Sequence, residues 1–137
     1  MSIAATMPEL PILGPAATFH HVGIAVESIR SVVDDPGLEV VSDDLQQVSV
    51  AFVDMCGVTV ELIEPMGEHS PVAQSLRKGQ RLVHLCFRVA DLDAAIADGR
   101  RRGLHRIATP VPAAAFGNRR IAWLFSRHIG LIELLEQ

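Results

Sequence analysis

Cysteine is scarce in this sequence: only Cys56 and Cys86 occur among 137 residues. Their spacing matches no zinc motif and no disulfide framework of a secreted protein. Both sit in apolar runs, so they read as reduced core thiols. Long hydrophobic runs are missing too, which leaves no segment fit to cross a bilayer. Positive charge is not in excess, since 12 Lys and Arg stand against 16 Asp and Glu, for a formal charge of −4 and a pI of about 5.8. Such a surface has no electrostatic pull on nucleic acid or an anionic membrane, so the expected work is on a small molecule. The first 17 residues are apolar, are broken by Pro8, Pro11 and Pro15, and carry no Lys or Arg. They read as an N-terminal arm over 1–18 rather than a signal peptide, and the cytoplasm is the expected location.

What remains is an ordinary globular composition, 49% hydrophobic and 20% charged, enough for one domain with a real core. The chain repeats itself. Phe19-His-His-Val-Gly-Ile-Ala-Val26 opens one unit and Leu82-Val-His-Leu-Cys-Phe-Arg-Val89 opens another. Each leads into a short helical pattern, then paired apolar strands that end in Val58-Thr-Val-Glu-Leu-Ile-Glu64 and Gly130-Leu-Ile-Glu-Leu-Leu135. His21 and His84 stand 63 residues apart, and Glu61 and Glu133 stand 72 apart. Two copies are too few for a solenoid, so the expected architecture is α+β, with two βαβββ modules paired into an open, cup-shaped mixed sheet. Module one spans 19–66, a linker helix 67–80 and module two 81–137. Strands are predicted near 19–26, 38–42, 47–54, 58–64, 81–89, 105–108, 119–126 and 129–135. Helices are predicted near 27–35, after Ser70-Pro71 up to Gly79, and near 92–102.

Strict alternation puts Leu82, His84, Cys86 and Arg88 on the enclosed face, and Val83, Leu85, Phe87 and Val89 under the helices. It likewise separates His21, Gly23 and Ala25 from Val22, Ile24 and Val26, and the small residues beside His21 would leave room for a ligand. Glu133 lies in a run that is apolar on both faces, where an ionised carboxylate is costly without a partner. A cation is the simplest one. Glu61 repeats the situation. Singly, each of these residues reads as a core or solvated group; as matched pairs, His21, Glu61, His84 and Glu133 converge if the halves face each other. Nitrogen and oxygen donors in this mix suit one divalent ion: zinc, cobalt, nickel, manganese or iron. His69, His105 and His128 read as exposed, Glu64 and Glu68 as surface. Arg100, Arg101 and Arg102 read as a solvated helix end that suits the dipole, contact with a phosphate of a cofactor-sized substrate being the weaker alternative.

The run His21-Val-Gly-Ile-Ala-Val26 resembles the opening strand of the vicinal-oxygen-chelate superfamily, and within it the methylmalonyl-CoA epimerases. Glu61-Leu-Ile-Glu-Pro65, Ser70-Pro-Val-Ala-Gln-Ser-Leu-Arg-Lys78, His84-Leu-Cys-Phe-Arg-Val89, Asn118-Arg-Arg-Ile-Ala-Trp-Leu124 and Leu131-Ile-Glu-Leu-Leu-Glu-Gln137 are also similar to epimerase segments. The resemblance implies a metal at His21, Glu61, His84 and Glu133. It implies an epimerase or isomerase that forms an enolate from a methylmalonyl-CoA-like thioester, with Glu133 and Glu61 as the catalytic carboxylates. Homodimers are common among such relatives, so a small-molecule substrate, a CoA thioester included, and a second copy of the chain are the partners in view. The first helix is shorter than in that family, and the third strand carries no carboxylate. Two other functions stay open. One is a glyoxalase-type lyase on a thiol–ketoaldehyde adduct, which shares the ligand set. The other is a non-catalytic binding protein on the same fold.

Overall fold

The computed structural model describes residues 17–137; the arm expected over 1–18 lies, but for its last two residues, outside them. Strand β1 (Thr18–Ala25) is followed by helix α1 (Ile29–Val32), then β2 (Val41–Asp43), β3 (Val48–Met55) and β4 (Val58–Pro65). Helix α2 (Pro71–Arg77) leads to β5 (Leu82–Val89), helix α3 (Leu92–Arg101), β6 (His105–Arg106), β7 (Val111–Pro112), a 3₁₀ turn (Ala114–Phe116), β8 (Arg120–Ser126) and β9 (Gly130–Glu136). All nine strands join one open, curled sheet in the order β2-β3-β4-β1-β5-β9-β8-β6, with β7 paired to β8. β1 and β5 run antiparallel at its centre. Each has a parallel partner from its own half, β4 beside β1 and β9 beside β5. This is the expected α+β sheet of two paired modules.

Period-two patterning decides what each face meets. Along β4, Val60 and Leu62 pack outward with Ile29 of α1, while Ile63 packs inward with Val48 and Val50. Along β9, Ile132 and Leu134 pack outward with Leu92 and Ala95 of α3, while Leu135 packs inward with Cys86, Phe116 and Ile121. Burying each of these large side chains contributes about 1.5–3 kcal/mol, so the pattern strongly disfavours a one-residue slip. Glu61 and Glu133 are the polar residues within these runs, and both project from the inner face.

Local signals set the helix limits. α1 is a single turn, shorter than the 27–35 expected. Ser28 caps it, accepting from the Ser31 N–H at 3.3 Å, and Pro36 keeps the residue before it out of helical backbone. Glu64, read as a surface group, instead accepts the Ile29 N–H at 2.8 Å. Asp91 caps α3 through the Ala94 N–H at 3.0 Å. Ser70 precedes α2 as expected, but its buried hydroxyl makes no cap hydrogen bond. Cys86 is buried as expected, whereas Cys56 is exposed, in the β3–β4 turn with φ 54°. A turn that tight needs left-handed backbone, which takes Cys56 out of the strand. β7, unforeseen, adds a short edge. No helix among the described residues is long and apolar enough to cross a membrane.

Candidate metal centre

The pairing registers bring the four candidate residues together. Across β1–β4, Glu61 stands beside Gly23; across β5–β9, Glu133 stands beside Cys86. Gly23 and Cys86 each follow a candidate histidine by two residues, and across β1–β5 they pair with the other half's histidine, Gly23 with His84 and Cys86 with His21. Four neighbouring strands therefore each send one donor to a single point. Nε2 of His21 lies 3.0 Å from Nε2 of His84. Oε1 of Glu133 lies 3.2 Å from His21 Nε2 and 3.4 Å from His84 Nε2. Oε1 of Glu61 lies 3.6 Å from each of the two nitrogens. His21 is fully buried, and Glu133, Glu61 and His84 are 2%, 5% and 6% exposed.

Two bulges complete the geometry. The β1–β5 register shifts between Phe19 and His21, and again between Gly23 and Ile24. His20 and Val83 are the unpaired residues, each directly before a candidate histidine. A bulge re-aims the extra side chain, so strict alternation fails at both places. Val83, expected under the helices, packs inside with Val48, Val50 and Ile63, while Leu82, expected inside, is 73% exposed. His20, which alternation alone would put on the face opposite His21, lies beside it, with Nδ1 2.8 Å from His21 Nδ1. Its ring packs edge-on against Phe116 and Phe52. His20 is the functional neighbour that alternation conceals. When His21 Nε2 faces a cation, its Nδ1–H donates to the bare Nδ1 of His20, which fixes tautomer and ring plane. His20→Ala is expected to weaken metal binding about tenfold or more with little change in secondary structure, measured by metal titration beside circular dichroism.

The free donors repel or compete unless a proton or a cation sits among them. Burial alone would lower the His21 pKa, but Glu133 and Glu61 outweigh it and raise it to about 9. Burial alone would raise the Glu133 carboxyl, but the two imidazoles hold it at about 2. Even so, no donor is aligned on Oε1 of Glu133, a buried oxygen left without a hydrogen-bond partner. Burial, with Glu133 nearby, pushes the Cys86 thiol up, so it stays neutral. Donors bound to one ion at ~2.1 Å lie roughly 3.0–3.4 Å apart for cis-octahedral or tetrahedral angles; the distances among His21, His84 and Glu133 fall in this range, and those from Glu61, at 3.6 Å, lie just beyond it. The set fits a divalent cation.

A cation must displace the proton on His21. Metal affinity is therefore expected to rise about tenfold per pH unit below pH 9 and to level off above it. Calorimetry in two buffers of different ionisation enthalpy reads the released proton; metal uptake at pH 7 without release would contradict the assignment. In the metal-free protein the raised His21 pKa stabilises the fold fully below pH 6.5, and that stabilisation is lost as pH rises through about 9.

The cluster opens onto a cavity of about 570 Å³ that reaches Glu61, His84 and Glu133 and is lined mainly by apolar side chains. Trp123 on β8 faces Glu133, as Phe52 on β3 faces Glu61. Their rings hold the imidazoles, Phe52 5.4 Å from His21 and Trp123 4.9 Å from His84. On the Trp123 side, the indole N–H donates to Gln46 at 3.1 Å, and the Gln46 amide donates to Asp43 at 3.0 Å. Asp43 also accepts from the Ala114 N–H at 3.2 Å, tying the two halves across the cavity. Gly23 does not leave room for a ligand, as the sequence suggested: a Cβ there would overlap the His84 ring. His69, His105 and His128 are exposed as expected, as are Arg100, Arg101 and Arg102.

Comparisons with known proteins agree with the fold. The family model described as Glyoxalase/Bleomycin resistance protein/Dioxygenase superfamily matches residues 20–123. Human mitochondrial methylmalonyl-CoA epimerase is 28% identical over 126 residues, covering 84% of this chain and 71% of that protein. The crystal structure of methylmalonyl-CoA epimerase from Mycobacterium tuberculosis superposes with a TM-score of 0.71 at 29% identity, covering 86% of each chain. A variant of the Streptomyces coelicolor methylmalonyl-CoA epimerase, in complex with 2-nitronate-propionyl-CoA, gives a TM-score of 0.71 at 28% identity, covering 88% of this chain and 94% of that one.

Proposed function

The chain belongs to the Glyoxalase/Bleomycin resistance protein/Dioxygenase superfamily, and from that premise we propose that it is a metal-dependent epimerase of a methylmalonyl-CoA-like acyl thioester, carried by one domain over 19–137. The observation that carries the reading is the buried set of two imidazoles and two carboxylates at the floor of an open cavity. The similarity to methylmalonyl-CoA epimerases supports the choice of reaction. His21, Glu61, His84 and Glu133 are the ligands in this reading. A divalent cation held there supplies a Lewis acid that offsets the negative charge arising when the carbon between two carbonyls loses its proton.

The side chains do the rest. Glu133 and Glu61 come from the two different halves of the fold and flank the centre, so one carboxylate would take the proton from one face while the other, entering the step already carrying a proton of solvent origin, would deliver that proton to the opposite face. Against the cost of burial, the imidazoles of His21 and His84 hold the Glu133 carboxyl at about 2, so it is an anion near neutral pH, and its Oε1 faces both ring nitrogens at the centre without an aligned hydrogen bond. Phe52, Phe116 and His20 close the side around His21 against water, and the cavity leaves the side of Glu61, His84 and Glu133 open. The test is mass spectrometry of methylmalonyl-CoA incubated in heavy water with cobalt-loaded protein. Uptake of one deuterium is the expected result. No uptake by protein verified to hold metal would overturn the reading and shift weight to the lyase.

A further inference from the structure

The cavity is larger and more apolar than a reacting dicarbonyl group needs. Beyond the ligands its walls include Leu45, Val48, Ile63, Val72, Ile107 and Val111. A volume of about 570 Å³ is that of a site for a drug-sized molecule, so the substrate continues outward from the metal centre as an uncharged arm. At the rim, Thr109 lines this cavity and also a second cleft of about 800 Å³, set between α3 and the segment 105–110. The two clefts therefore adjoin at Thr109.

The second cleft is cationic in a chain of net charge −4. Arg100, His105, Arg106 and Arg120 line it, with Asp93 as the acidic residue. The Arg120 guanidinium is already engaged, donating to Glu136 at 3.0 and 2.8 Å and to Asp93 at 3.4 and 3.1 Å. Arg101, next to Arg100, closes on Asp98 at 2.9 Å. Arg100 and Arg106 have no carboxylate partner among the described residues. Two uncommitted guanidiniums with a histidine beside them are a donor set for phosphate.

We propose that this cleft binds the phosphates at the nucleotide end of the CoA thioester. The acyl group sits at the metal centre and the pantetheine arm crosses the rim at Thr109. This inference rests on the epimerase reading for its substrate, and it adds a site on the helix-bearing side of the sheet edge. Each phosphate contact strengthens binding without touching the reacting carbon, so its loss falls on KM.

The test compares methylmalonyl-CoA with methylmalonyl-pantetheine, which carries the same acyl group and arm but no phosphate. In the double variant Arg100→Ala/Arg106→Ala the ratio of kcat/KM for the two thioesters is expected to fall about tenfold against the CoA form, through KM. An unchanged ratio would overturn the proposal. Calorimetry with free coenzyme A tests the cleft without turnover. Binding to the wild type, weakened about tenfold in the double variant and by added salt, supports the phosphate site even if neither thioester exchanges its proton. No binding, or equal binding by both proteins, rejects the site even if exchange is fast.

Discussion

Glu133→Gln is expected to slow proton exchange by about a thousandfold and to leave the fold intact. The side chain is 2% exposed on the inner face of β9, between the outward Ile132 and Leu134. Glutamine matches its size, and a neutral amide is easier to bury than a carboxylate, so the packing that holds β9 in place is unchanged. What disappears is the anion. The metal loses an ionic ligand and the substrate loses a proton acceptor, and neither loss is made good by Glu61, whose Oε1 stands 3.6 Å from both ring nitrogens. A second readout follows from the same change. Glu133 is a main reason that the His21 pKa is raised to about 9, so in the variant His21 titrates lower. The pH at which metal affinity levels off should move down with it. A variant that kept exchange within tenfold of the wild type would remove Glu133 from the reaction.

Gly23→Ala is expected to cost more metal affinity than a single methyl group would elsewhere. A Cβ at Gly23 would run into the Cε1, Nδ1 and Nε2 atoms of His84. The ring has nowhere to retreat, because Trp123 lies 4.9 Å away on one side and His21 5.2 Å away on another. Overpacking of this kind typically costs 1–3 kcal/mol, and the ring must leave the cluster to relieve it. Loss of one ligand is expected to reduce metal affinity by at least about a hundredfold, with a lower Tm in the metal-free protein. Gly67→Ala is the control, since nothing lies within 4 Å of a Cβ at Gly67. Equal metal binding by Gly23→Ala and wild type would show that the His84 ring does not stand against Gly23.

The duplicated strands and the four donors were legible because charge and apolarity conflict so plainly there. Glu133 in Leu131-Ile-Glu-Leu-Leu135 has no local partner in the chain, and its repeat mate Glu61 points to the other half. The duplication carries a further signal. Phe52 and Trp123 occupy matching places before the two glutamates and were visible in principle. The bulges at His20 and Val83 were not, because a bulge is a property of pairing between β1 and β5, and no residue in either strand announces it. Gly23 was misjudged for the same reason. Its missing side chain serves a ring that arrives from 61 residues further along the chain. Cys56 was misplaced because an apolar neighbourhood hid a two-residue turn. The two clefts that meet at Thr109 come from chain segments far apart, so no spacing rule reveals them.

The proposed chemistry depends on one cation among His21, Glu61, His84 and Glu133. The decisive measurement is the metal content of purified protein after loading with cobalt and exhaustive dialysis at pH 7.5, for the wild type and for His84→Ala. One ion per chain in the wild type, and a much smaller fraction in the variant, is the predicted result. A wild type that holds no metal, or a variant that holds as much, would contradict the account.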